Sequence, residues 1–237
     1  MTRRKLTTTV SVLLLVAINA AAQSSGSAMD YLKRGNAALA EGNWEKAVAD
    51  FTFAIRINSR IEKPFDNSEQ PDKEIFTSDV FNACAFSNRG IANYRLGNLE
   101  KAIADFDRAI RINPRLADAY NNRGNYWQAK GNLDKALHDF DHAIKFDPRH
   151  SHAFNNRANL RQSRGDLIGA IADYDHSIEL DASNATVFAN RGLTRLQLGC
   201  EEEANLDFNR ALKLDPGLEK NLQELITKER NSNLAKK

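Results

Sequence analysis

The sequence predicts an all-α solenoid built from five copies of a two-helix unit. Three observations predict it. Gly35, Gly90, Gly124 and Gly192 sit in the related segments KRGN, NRGI, NRGN and NRGL, with Ala158 (NRAN) filling the gap; the steps are 34 residues, except the first, which is longer by 21. A second series, Gly42, Gly97, Gly131, Gly165 and Gly199, follows the first at a distance of seven. Between the glycines, apolar residues recur at i, i+3, i+4 and i+7, the spacing of an amphipathic helix.

With positions numbered 1–34, the units are 28–61, 83–116, 117–150, 151–184 and 185–218. Positions 4, 7, 8 and 11 mark the first helix of each unit. Positions 17, 20, 24, 27 and 28 mark the second, as in Leu133, Ala136, Phe140, Ala143 and Ile144. Glycine at position 15 supplies the turn between them, and Pro114, Pro148 and Pro216 fall where a second helix must stop. Small residues at positions 8 and 20 let the two backbones approach. Aromatic residues at position 24 (Phe51, Phe106, Phe140, Tyr174, Phe208) fill the wedge between them.

The segments outside the repeats read differently. Met1–Lys5 is basic, Val10–Ile18 is apolar, and Ala20 and Ala22 place small residues three and one before a cut after Ala22. This is the pattern of a signal peptide over 1–22, too short in its apolar part to span a bilayer. An exported protein, periplasmic or secreted, is expected, with a Gram-negative bacterium as the source. Residues 62–82, with Pro64 and Pro71, are expected to be an inserted loop running into an early start of the next helix, with Ser78 as its N-cap. Function and tolerated drift are equally open for this insert. Leu218, Leu222, Leu225 and Ile226 form one apolar stripe, so residues 219–230 are expected to cap the stack, leaving 231–237 as a polar tail.

The repeats resemble the tetratricopeptide repeat. Position 4 is Tyr31, Phe86, Tyr120, Phe154 or Phe188, and position 20 is Ala47, Ala102, Ala136, Ala170 or Ala204. The departures are arginine for leucine at position 7, Ala158 for glycine, Ser177 for alanine, and no proline at Ser59 or Ala182. The Asn-Arg-Gly variant is similar to that of many bacterial members. The resemblance implies a right-handed superhelix with a concave groove that binds protein partners. It also implies that positions 2, 5, 6, 9, 12 and 13 line that groove. In the groove positions this sequence places Asn36, Asn88, Asn121, Asn122, Asn125, Asn155, Asn156, Asn159 and Asn190, with Arg95 as the obvious cation. An amide both donates and accepts, so a column of them can hold an extended peptide backbone; the same asparagines can instead stabilise helix packing. The lysines of a carboxylate-gripping groove are missing.

Two further columns are invariant across the units. Position 7 is Arg34, Arg89, Arg123, Arg157 and Arg191; position 23 is Asp50, Asp105, Asp139, Asp173 and Asp207. An arginine on an apolar helix face needs a partner, and we expect these arginines and aspartates to pair, within or between units, as scaffold.

Other chemistries find little support. Lys+Arg is 33 against Asp+Glu 31, and without residues 1–22 the net charge is −1, which argues against nucleic-acid binding. His138 and His142 have a metal-compatible i, i+4 spacing but lie off the apolar stripe, where a solvated face is the simpler reading. Cys84 and Cys200 lie three units apart, too far to bridge within one chain. No metal or cofactor is expected, and no enzyme. The sequence reads as a protein–protein interaction scaffold that binds an extended protein or peptide segment and assists an envelope complex. The alternatives are a membrane-tethered adaptor with an uncleaved signal and, from another class, a metal-dependent or hydrolytic enzyme, which would need a convergent polar site that the sequence does not offer. Homo-oligomerisation is open.

Overall fold

The computed structural model describes residues 26–61 and 74–235. The signal segment expected at 1–22 lies outside them, as does most of the insert. Among the described residues there are eleven α-helices and one 3-10 turn. They are α1 (Ala28–Ala40), α2 (Trp44–Ile61), α3 (Glu74–Arg95), α4 (Leu99–Ile112), α5 (Ala117–Ala129), α6 (Leu133–Phe146), α7 (Ser151–Ser163), α8 (Leu167–Leu180), α9 (Ala185–Leu198), α10 (Glu201–Leu214) and α11 (Glu219–Ala235). The helices pack pairwise as consecutive helix–turn–helix repeats. The chain divides into two compact units between Asp105 and Phe106, within α4.

Local chemistry sets the helix ends. Gly42, Gly97, Gly131, Gly165 and Gly199 all have φ between +72° and +88°, which an L-residue adopts only with strain. The next residue then caps the second helix: Asn43, Asn132 and Asp166 accept from the N–H groups of Lys46, Lys135 and Gly169. Cys200 provides no such cap, and Glu201, Glu202 and Glu203 place negative charge on the first turn of α10 instead. The link to the next repeat is an Asx turn. Asn113, Asp147, Asp181 and Asp215 each accept from the N–H two residues on. That turn forms at Asp181 as it does elsewhere, although Ala182 stands where other units have proline.

Within a repeat, position 8 decides how closely the helices approach. A Cβ built on Gly35 would lie 2.6 Å from the Phe51 ring, and one on Gly124 2.6 Å from the Phe140 ring. The glycines make room for aromatic side chains that are fully buried.

Two boundaries and one packing detail differ from expectation. Helix α3 already begins at Glu74, so residues 74–82 of the expected loop are helical and Ser78 lies inside the helix instead of capping it. Its hydroxyl accepts from Asn58 Nδ2 at 2.9 Å, tying α3 to α2. The sequence EIFTSDVF, with Phe76 and Val80 at i, i+4, contains no breaker and continues the next helix backwards. Second, α11 runs to Ala235, so most of the expected tail is helix; residues 231–235 (NSNLA) hold no glycine or proline to stop it. Third, of the capping stripe only Leu222 and Ile226 are buried, against Phe188, Leu196 and Phe208, while Leu225 stays exposed.

Candidate protein-binding face and the arginine forks

The position-7 arginines form forks. Arg89, Arg123, Arg157 and Arg191 each donate from Nε and Nη2 to the two carboxylate oxygens of Asp105, Asp139, Asp173 and Asp207, at 2.6–3.0 Å. This bidentate geometry suits the planar guanidinium. The third edge, Nη1, reaches the preceding repeat, where it meets Thr52 Oγ1 at 3.1 Å, Asp107 and Asp141 at 2.7 Å, and Asp175 at 2.6 Å. One side chain therefore ties its own helix pair together and staples it to its neighbour. The position-4 ring covers each guanidinium, as Tyr120 covers Arg123 at 5.6 Å and Phe188 covers Arg191 at 5.6 Å. Burial works against the charge of Arg123, but the hydrogen bonds to Asp139 and Asp107 outweigh it and hold its pKa above the ordinary arginine value. Arg157 and Arg191 behave alike.

Position 11 adds a donor that the sequence reading missed. Asn93, Arg161 and Arg195 bond to the same aspartate oxygen that Nε uses, at 2.7–3.0 Å. In the third repeat this position is Trp127. A cleft of about 530 Å³ opens there, lined by Arg123, Trp127, Asp134, Lys135, His138 and Asp139. The Lys135 ammonium lies 4.3 Å from the centre of the Trp127 ring.

The groove asparagines meet one another across repeats. Asn156 Nδ2 donates to Asn121 Oδ1 at 2.9 Å and Asn190 Nδ2 to Asn159 Oδ1 at 3.0 Å; in the first unit, Asn88 Nδ2 donates to Asn36 Oδ1 at 2.9 Å. Position 6 is always the donor here, but the acceptor is position 5 in one case and position 9 in two. The row continues from Asn159, which accepts from the Tyr174 hydroxyl at 2.6 Å. Gln162 Nε2 then donates to Gln197 Oε1 and Gln197 Nε2 to Glu229 Oε2, both at 3.2 Å, reaching the cap helix. Asn121 is buried, Asn125 is half-buried, and Asn155 turns its Nδ2 to Asn156 while its Oδ1 is buried without a partner. Asn122 is half-buried at the same phase as Asn156. Arg95 is exposed and lies over Trp44.

His142 turns Nδ1 to the His138 carbonyl, and among the described residues no group of three or more metal-type side chains comes together. Among the same residues no helix is long and apolar enough to cross a membrane, and no disulfide forms.

Helical hairpins recurring at a fixed period, stapled by arginine forks and sharing a row of amides on their first helices, define a helical-hairpin repeat protein. Two of these repeats, residues 83–116 and 117–150, match the tetratricopeptide repeat family. No curated protein matches the chain. Solved structures show the same fold. YrrB, described as a TPR protein with an unusual peptide-binding site, is 17% identical with a TM-score of 0.56, over 90% of this chain and 97% of that one. The pilF protein of Pseudomonas aeruginosa is 15% identical with a TM-score of 0.65, over 79% of this chain and 76% of that one. A MamA protein is 16% identical with a TM-score of 0.56, over 81% and 94%.

Proposed function

We propose that this tetratricopeptide-repeat protein is a non-enzymatic scaffold that holds an extended protein segment along the amide row of its first helices. In this reading it is exported, and brings components of an envelope complex together. The observation that carries the reading is the orientation of the amides. Asn88, Asn156 and Asn190 each use one N–H on a neighbouring repeat, which fixes the rotamer; an amide has a second N–H and an oxygen to offer a peptide backbone, the Asn156 oxygen being shared with Asn155 Nδ2. Backbone groups are the part of a partner that repeats at regular intervals, so a row of oriented amides suits them. The likeness to YrrB, with its peptide-binding site, supports the same use.

The test is a partner captured from the native envelope by the mature protein and then titrated against an Asn122, Asn156, Asn190 triple alanine variant. The expected loss is about 2–4 kcal/mol, thirtyfold or more, with weak salt dependence. The amides also tie repeats together, so helical content and melting of the variant are measured alongside. Equal affinity, or an unfolded variant, overturns the assignment. N-terminal sequencing of the native product decides between export and tethering: a start near Gln23 fits the exported scaffold, and a retained Met1 or Thr2 on a membrane-bound product fits the adaptor with an uncleaved signal.

A further inference from the structure

The first repeat carries a fork that is only half filled. Arg34 Nη2 lies 3.1 Å from Asp50 Oδ1, and the Arg34 side chain is 51% exposed, against 14–21% for its four equivalents. Asp50 Oδ2 is buried and has no partner among the described residues: the Nε bond that the other forks make to this oxygen is not formed, and Ala38 at position 11 adds no donor of its own. The Tyr31 hydroxyl is likewise buried without a partner, whereas that of Tyr120 donates to the Pro114 carbonyl. Met29, on the same helix, is 48% exposed. Buried polar atoms left unpaired are costly, and a native surface keeps them where something else completes the set.

The later repeats show what completes it. A second helix lies against the fork and presents a hydrogen-bond acceptor to Nη1. That acceptor is a carboxylate in three of the four cases, with an isoleucine three residues on: Asp107 and Ile110, Asp141 and Ile144, Asp175 and Ile178. Ile110 packs with Tyr120, and Ile178 with the cluster of Phe188. We propose that the α1–α2 face around Arg34, Asp50 and Tyr31 is a docking surface for a helix of a partner protein. That helix carries a carboxylate followed three residues later by a branched aliphatic side chain, and it adds to the stack as a further repeat would. Residues 1–25 contain no Asp or Glu, so they cannot supply the charge. A second copy stacked end to end would present the neutral Asn209 at the corresponding position, beside the already docked α11. This surface is separate from the amide row.

The experiment titrates a labelled synthetic peptide, residues 151–184 of this sequence with Asp175 and Ile178, against the full chain by fluorescence anisotropy. Saturable binding is expected. Asp175→Asn in the peptide weakens it about tenfold, Arg34→Gln in the protein weakens it to the same extent, and the two together cost no more than either alone. Circular dichroism of Arg34→Gln should match the parent, because this side chain is half exposed. Three results overturn the proposal: no saturation, binding that ignores both substitutions, or binding by the chain begun at Gln23 but not by the full chain. The last would make residues 1–22 the occupant of the face.

Discussion

Arg123 and Asp139 face each other through two parallel hydrogen bonds of 2.8 Å, with the Asp139 side chain 2% exposed. The third edge of the same guanidinium holds Asp107. Removing Arg123 therefore strands a buried carboxylate and cuts an inter-repeat staple. Arg123→Ala should destabilise the protein by about 3–5 kcal/mol, read as a lowered thermal midpoint. Arg123→Lys should recover only part of this, because an ammonium cannot form the fork. Arg34→Ala should cost less than Arg123→Ala, because Arg34 is half exposed, makes a single contact to Asp50 and holds no preceding repeat. Equal midpoints for the Arg123 and Arg34 alanine variants would show that the forks do not hold the stack.

The two glycine series should respond oppositely to asparagine. Gly131 has φ +74° and open space around it, and asparagine tolerates that conformation, so Gly131→Asn should be nearly neutral while Gly131→Ala loses about 1 kcal/mol. Gly124 is helical, and its missing Cβ makes room for Phe140. Both Gly124→Ala and Gly124→Asn should therefore destabilise by about 1–3 kcal/mol through overpacking. Chemical denaturation of the four variants checks this.

His150 caps α7 by accepting the Ala153 N–H at Nδ1, and its Nε2 lies 3.2 Å from Asp118 Oδ1. The His150 imidazole beside it holds the Asp118 carboxyl below the usual carboxylate range. A lowered acid favours the folded state above the ordinary aspartate pKa, and that contribution fades as the pH falls through the lowered value. In His150→Ala the Asp118 titration, followed by NMR, should move up toward its ordinary position. An unmoved titration would remove His150 as the cause.

Tyr174 is buried, and burial, with the Asp173 charge beside it, pushes its phenol well above the ordinary tyrosine value near 10. The folded state keeps a proton that the unfolded chain gives up, so this residue should lower stability as the pH rises past about 10. Tyr174→Phe should flatten that alkaline decline. It should cost about 0.5–1.5 kcal/mol at neutral pH, for the lost bond to Asn159. A decline of unchanged steepness in the variant would assign the alkaline sensitivity to other groups.

The period, the helix pairs, the glycine turns and the Gly124–Phe140 type of packing were legible in the amino acids alone. These features repeat within one unit and leave a fixed spacing: the same glycine, aromatic and Arg–Asp columns return at every step. Tertiary structure alone decided what crosses from one repeat to the next. The fork's third partner is Thr52 in one place and Asp107, Asp141 or Asp175 in others, and Asn156 finds position 5 where Asn190 finds position 9. Such contacts depend on how one hairpin is set against the next, and several side chains are long enough to reach from more than one position. The start of α3 at Glu74 and the extension of α11 to Ala235 were hidden for a related reason. Both lie outside the repeating units, where no second copy in the sequence exists to show the pattern.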